Sequence, residues 1–81
     1  MKFIFSTTEH FWQRVREREL ADKFEAIAKA VEHGRKIPQR NKTGAVIPNI
    51  FANIGDDLTV ISREIGRTIE LITAYENEVR L

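Results

Sequence analysis

The sequence predicts an all-α chain: an antiparallel helical hairpin with a short extended N-terminal arm, assembling into a helical bundle. Three observations carry that expectation. Ile54, Leu58, Ile61, Ile65, Thr68, Ile72, Tyr75 and Val79 follow one another at steps of four and three, one narrow stripe of an α-helix. Leu20, Ala21, Phe24, Ile27, Ala28 and Val31 share one face of an earlier segment at the same period. The two stretches are matched in length and joined by one polar loop, which is the arrangement of an αα-hairpin.

The elements follow in order within a single domain, 1–81. Residues 1–6 form the arm, where Phe3 to Phe5 is apolar and partly aromatic and reads as a short extended piece. Ser6-Thr7-Thr8-Glu9 matches a capping box, in which the Ser6 hydroxyl accepts from the Glu9 amide and the Glu9 carboxylate reaches back. The first helix spans 7–33, with Gly34 as its stop and Pro38 beyond. Its apolar face changes side near Arg16 to Arg18, but no Gly or Pro marks a break there, so a straight helix is expected. Residues 34–48 form a basic loop. The second helix spans 49–80, with Asn49 as N-cap and Asp56 and Asp57 suited to a helix start. Gly66 inside it costs about 1 kcal/mol against Ala.

Composition bounds the function. The chain has 81 residues, 42% of them apolar and 31% charged, which is globular rather than disordered. Thirteen basic residues nearly balance twelve acidic ones, so no global charge argues for a nucleic-acid or membrane surface. There are no cysteines, hence no disulfide framework and no thiolate chemistry. The opening Met1-Lys2-Phe3-Ile4-Phe5 is too short for a secretory core, and no apolar run is long enough to span a bilayer. A cytoplasmic protein is expected.

Three groups of residues are candidates for function. Phe3, Phe5, Phe11, Trp12 and Val15 gather in the first fifth of the chain, and Trp and Phe are energetic anchors at interfaces. They are the expected partner-binding set, with Trp12 foremost; their alternative role is a small core closed by the arm. Ile65, Ile69, Ile72, Tyr75 and Val79, the far half of the stripe, are the expected oligomer contacts, in a homodimer or larger assembly. Arg35, Lys36, Arg40 and Lys42 carry four positive charges with no opposing acid in their loop and precede a helix N-terminus, a setting that favours phosphate. Basic residues after a helix end also have a plain stabilising role, and the loop carries no Gly-rich phosphate motif and no aromatic for stacking.

No catalytic, cofactor or metal site is expected. His10 and His33 stand about six turns apart on the expected helix, and adjacent Asp56 and Asp57 point in different directions. Ser6 and Ser62 have no neighbouring histidine.

The opening Met1-Lys2-Phe3-Ile4-Phe5, the absence of cysteine and the Ile54 to Val79 region resemble the small accessory proteins of T4-like bacteriophages, which modulate lysis timing or blunt host defences. In architecture the expected hairpin is also similar to the helical-hairpin sponges that sequester cyclic nucleotides. The resemblance implies a non-enzymatic regulator that binds and inhibits another protein, in the host cytoplasm. The alternative is a module reading phosphate on a nucleic acid or a cyclic nucleotide through the basic loop.

Overall fold

A computed structural model describes residues 4–77. Its elements are β1 (Ile4–Thr7), α1 (Glu9–Glu17), α2 (Phe24–His33), β2 (Arg35–Arg40), β3 (Val46–Ile54), β4 (Leu58–Ile65) and β5 (Thr68–Glu76). The strands make one sheet in the order β1-β5-β4-β3-β2. β2 to β5 form an antiparallel meander, and β1 joins β5 in parallel. The protein is therefore an α+β domain and not the expected all-α hairpin; the likeness to helical-hairpin sponges falls with it.

The expected second helix of 49–80 is replaced, over its described residues 49–77, by strands and tight turns. Gly66-Arg67 connects Ile65 to its hairpin partner Thr68, and Gly66 has φ +59°. A glycine with positive φ at the first central position of a two-residue loop is the pattern of a type II′ hairpin turn. The steps of four and three thus have a different origin. Ile61 to Ile65 is an even step along one strand, while Ile65 to Thr68 is a cross-strand pair over a turn. Near its other end β4 meets a bulge in β5: Ile61 pairs with Thr73 and Ser62 with Leu71, leaving Ile72 as the extra residue.

The expected basic loop 34–48 is largely strand β2 and the start of β3. Asn41 closes the turn between them, its Oδ1 accepting from the Thr43 and Ala45 amides at 3.0 Å. Asn49, expected as an N-cap, lies within β3 with φ +64°, a conformation that Asn tolerates better than most residues.

The first helix is broken in two. α1 begins at an N-cap Thr8, whose Oγ1 accepts from the Phe11 amide at 3.0 Å, two residues beyond the expected N-cap Ser6. At its other end Leu20 N donates to Val15 O at 2.9 Å and Glu19 N to Arg16 O at 3.2 Å. These two bonds, with Glu19 left-handed at φ +55°, make a Schellman motif. Leu20 and Val15, the apolar pair that accompanies such a motif, are both buried. Arg18 then fastens the helix end to the sheet, donating to Ala74 O at 2.7 Å with its guanidinium 5.9 Å from the Tyr75 ring centre.

Both helices lie on one face of the sheet. Registered rows on that face run Lys36–Asn53–Val60–Ala74 and Pro38–Phe51–Ser62–Leu71–Thr7. The core joins Val60, Leu58, Ile69, Leu71 and Ala74 of the sheet to Phe11, Val15, Leu20, Ile27, Ala30 and Val31 of the helical layer. Asn53 is fully buried among them, donating to Val60 O at 3.0 Å and to Ser62 Oγ at 2.8 Å. Gly34 and Gly55 let α2 sit this close: a Cβ on Gly34 would stand 2.8 Å from Ile54 O of β3, and one on Gly55 3.0 Å from Ala30 Cβ. Among the described residues no helix covers the opposite face, with Ile37, Ala52, Ile61 and Thr73 in one row and Arg35, Ile54, Thr59 and Tyr75 in another.

Candidate functional site

The break between α1 and α2 folds the aromatic residues of both helices together. Phe11 is buried, and its ring centre lies 5.5 Å from that of Trp12, edge to face. Trp12 meets Phe24 at the start of α2 in a second edge contact at 5.3 Å. The Trp12 indole is held by its Nε1–H, which donates to Thr7 Oγ1 on β1 at 2.8 Å. Beside these groups lies a cleft of about 130 Å³ lined by Phe5, Phe11, Trp12, Phe24, Ala28 and Val31, with Leu71 also among its lining residues. Its rim stays open to solvent: Phe5 is 44%, Trp12 39% and Phe24 45% exposed.

The cleft is chemically simple. Every residue lining it is apolar except Thr7, and the Thr7 hydroxyl is already engaged by Trp12. No side chain in it can carry charge or move a proton. Its volume is close to the roughly 150 Å³ of an apolar cavity that takes up benzene. It can therefore receive one ring-sized or branched apolar side chain.

Of the expected partner-binding residues, the structure brings Phe5, Phe11 and Trp12 to this cleft. Val15 lies in the core behind it, and Phe3 lies outside the described residues. Phe24, Ala28 and Val31 complete the wall; in sequence they share the stripe that marks a helix core face, so nothing there separates cleft from core.

The expected oligomer residues divide. Ile65 and Tyr75 are exposed on the helix-free face, Ile69 is buried under the helices, and Ile72 is the half-buried bulge residue. Val79 lies outside the described residues.

The four cations of the expected phosphate loop do not converge. Alternation along β2 sends Arg35 to the helix-free face and Lys36 to the helix face. Lys36 pairs with Glu64 of β4 and lies over the Phe51 ring, 5.2 Å from its centre. Arg40 Nη1 donates to Gly44 O at 2.8 Å across the turn that also holds Lys42. A second, open cleft of about 720 Å³ lies between α2 and the β3–β4 turn. Lys29, His33 and Arg35 line it together with Glu25, Asp56 and Asp57, so neither sign of charge prevails. His10 and His33 stand on different helices. Among the described residues no group of three His, Asp or Glu side chains is placed to hold a metal, and no helix is long and apolar enough to cross a membrane. Comparison with protein families, with characterised proteins and with solved structures finds no match for this chain.

Proposed function

We propose that the protein works by binding: it captures an apolar side chain of a partner protein in the cleft between Phe5, Trp12 and Phe24, and regulates that partner by occupancy. The observation that carries this reading is the half-exposed aromatic rim around an uncharged cleft that opens directly onto the core. Aromatic anchors and the pockets that receive them dominate interface energetics. The rim is also rigid where it matters. The Trp12 indole is pinned by Thr7 and by edge contacts to two rings, so little side-chain freedom is lost on binding. A regulator of the phage accessory kind, acting in a host cytoplasm without catalysis, is compatible with such a surface.

The phosphate-reading alternative has less behind it. Its four cations are spread over both faces of an edge strand and a turn, with Lys36 and Arg40 already partnered. Charged residues and a proline on an edge strand have a sufficient role in preventing unwanted pairing.

The test is selection of displayed peptides on the intact chain, followed by binding of the winners to Trp12→Ala. Peptides sharing one apolar anchor, bound at least about tenfold more weakly by Trp12→Ala, are expected; a hot-spot loss of about 2 kcal/mol corresponds to roughly thirtyfold. Circular dichroism should be unchanged, because Trp12 is half exposed. Equal binding by the two chains removes this cleft from the function.

A further inference from the structure

The two edges of the sheet are built differently. β2, at one edge, carries Arg35, Lys36, Pro38 and Arg40 and shifts register between Pro38 and Arg40. Charge, proline and irregularity are the devices that keep an edge from pairing with another chain. β1, at the other edge, reads Ile4-Phe5-Ser6-Thr7 and has none of them. Among the described residues nothing pairs with its outer side. Its Ile4 is 64% exposed on the helix-free face, and its Phe5 is exposed on the helix face.

The direction of its main-chain groups is fixed by the bonds it makes. Ile4 N donates to Arg67 O at 2.9 Å and Thr8 N to Leu71 O at 3.3 Å. Alternation along the strand then turns the amides and carbonyls of Phe5 and Thr7 outward, away from β5. Two donors and two acceptors at this edge await partners.

We infer that a second copy of this chain pairs with β1 along that edge, antiparallel and about a twofold axis at Ser6. In this register Phe5 faces the partner's Thr7 and Thr7 faces the partner's Phe5. Both pairs direct their N–H and C=O groups at each other, so four main-chain hydrogen bonds form. The axis at Ser6 stands perpendicular to the sheet, so both helical layers fall on the same side of one continuous ten-stranded sheet. The partner's Phe5 then lies beside Thr7, the residue that pins Trp12, and adds a wall to the aromatic cleft. Two clefts open side by side, and the isologous contact closes on itself without forming a fibre. Four strand residues per copy make a small contact, so the dimer is concentration-dependent and exchanges readily.

The absence of cysteine makes the test direct, because one introduced thiol can cross-link only between copies. A Ser6→Cys thiol meets its twin across a non-hydrogen-bonded pair with Cα atoms about 4.5 Å apart, within disulfide reach. Ile4→Cys on the same face is the control: its twin lies four residues along, roughly 13 Å away. Under mild oxidation Ser6→Cys should form dimers at least about tenfold faster than Ile4→Cys, and adding Ile4→Lys to the Ser6→Cys chain should slow it to the control rate without change in circular dichroism. Equal rates for Ser6→Cys and Ile4→Cys, or linkage at Phe5→Cys in preference to Ser6→Cys, overturn the pairing. Ser6 faces away from the cleft and the rates are read on the chain alone, with no peptide added, so failure of the cleft to bind a partner leaves them unchanged.

Discussion

Replacing Gly66 by alanine should destabilise the protein, and the sign of the effect is the informative part. Gly66 has φ +59° in the turn between β4 and β5, and an added Cβ would meet nothing within 4 Å. No contact is gained or lost, so the cost is that of holding an L-residue left-handed, roughly 1–2 kcal/mol. The stiffer unfolded chain offsets about 0.4–1 kcal/mol of it, leaving a net loss of about 1 kcal/mol. For a domain of this size that lowers Tm by about 4–8 °C. The total stability expected for the chain is only about 4–12 kcal/mol, so the change is well above error. Were Gly66 inside a helix, the same substitution would add about 1 kcal/mol. Urea unfolding of the two chains, compared at constant m-value, reads the difference directly. A more stable Gly66→Ala protein would refute the hairpin turn and the sheet built around it.

Two further substitutions test the helical layer. Glu19→Gly relieves the left-handed residue of the Schellman motif and should stabilise by up to about 1 kcal/mol, measured by the urea midpoint; a clear loss would mean that Glu19 is not at that position of the turn. Gly34→Ala places a Cβ 2.3 Å from Ala30 O and 2.8 Å from Ile54 O, both main-chain atoms that cannot swing away. It should cost about 1–3 kcal/mol or more, and a Tm within a degree or two of the parent would show that α2 does not pack this closely on β3.

The sequence made the local punctuation legible and the period misleading. The helix stop at Gly34 is where α2 ends, and Ile4 and Phe5, the described part of the extended stretch, open β1. The break near Arg16 to Arg18 was visible as a change of apolar face, but its usual marker was missing. Glu19 takes a conformation that glycine commonly supplies, so no residue type announced it. In the last third, Gly55-Asp56-Asp57 and Gly66-Arg67 are turn signals about ten residues apart, and Thr, Ile and Val crowd the stretches between them. Those signals favour strands. They were outweighed by a heptad that turns, bulge and hairpin pairing produce together: Ile54 to Leu58 crosses one turn, Ile65 to Thr68 crosses the next, and Ile72 is extra at the bulge. Short strands interrupted by two tight turns can imitate a helical period because each turn resets the phase.

The same unmarked break explains why the candidate site could be read only in part. On a straight helix Trp12 and Phe24 would be about 18 Å apart along the axis, and Phe24 would belong to a hairpin seam while Trp12 stood alone. The Schellman motif at Glu19 and Leu20 turns the chain back, and the two rings meet at 5.3 Å. One left-handed residue thus brings two separate aromatic positions into contact in the lining of one cleft. The parallel pairing of β1 with β5 supplies the remaining wall, because it brings Phe5 and Thr7 of the arm up beside them. None of these three pieces forms the cleft alone. Their coincidence depends on long-range pairing across more than sixty residues, from Thr7 to Leu71, which no window of the sequence displays. The aromatic residues Phe5, Phe11 and Trp12 supply part of the lining of the cleft, and the register of the sheet supplies its depth.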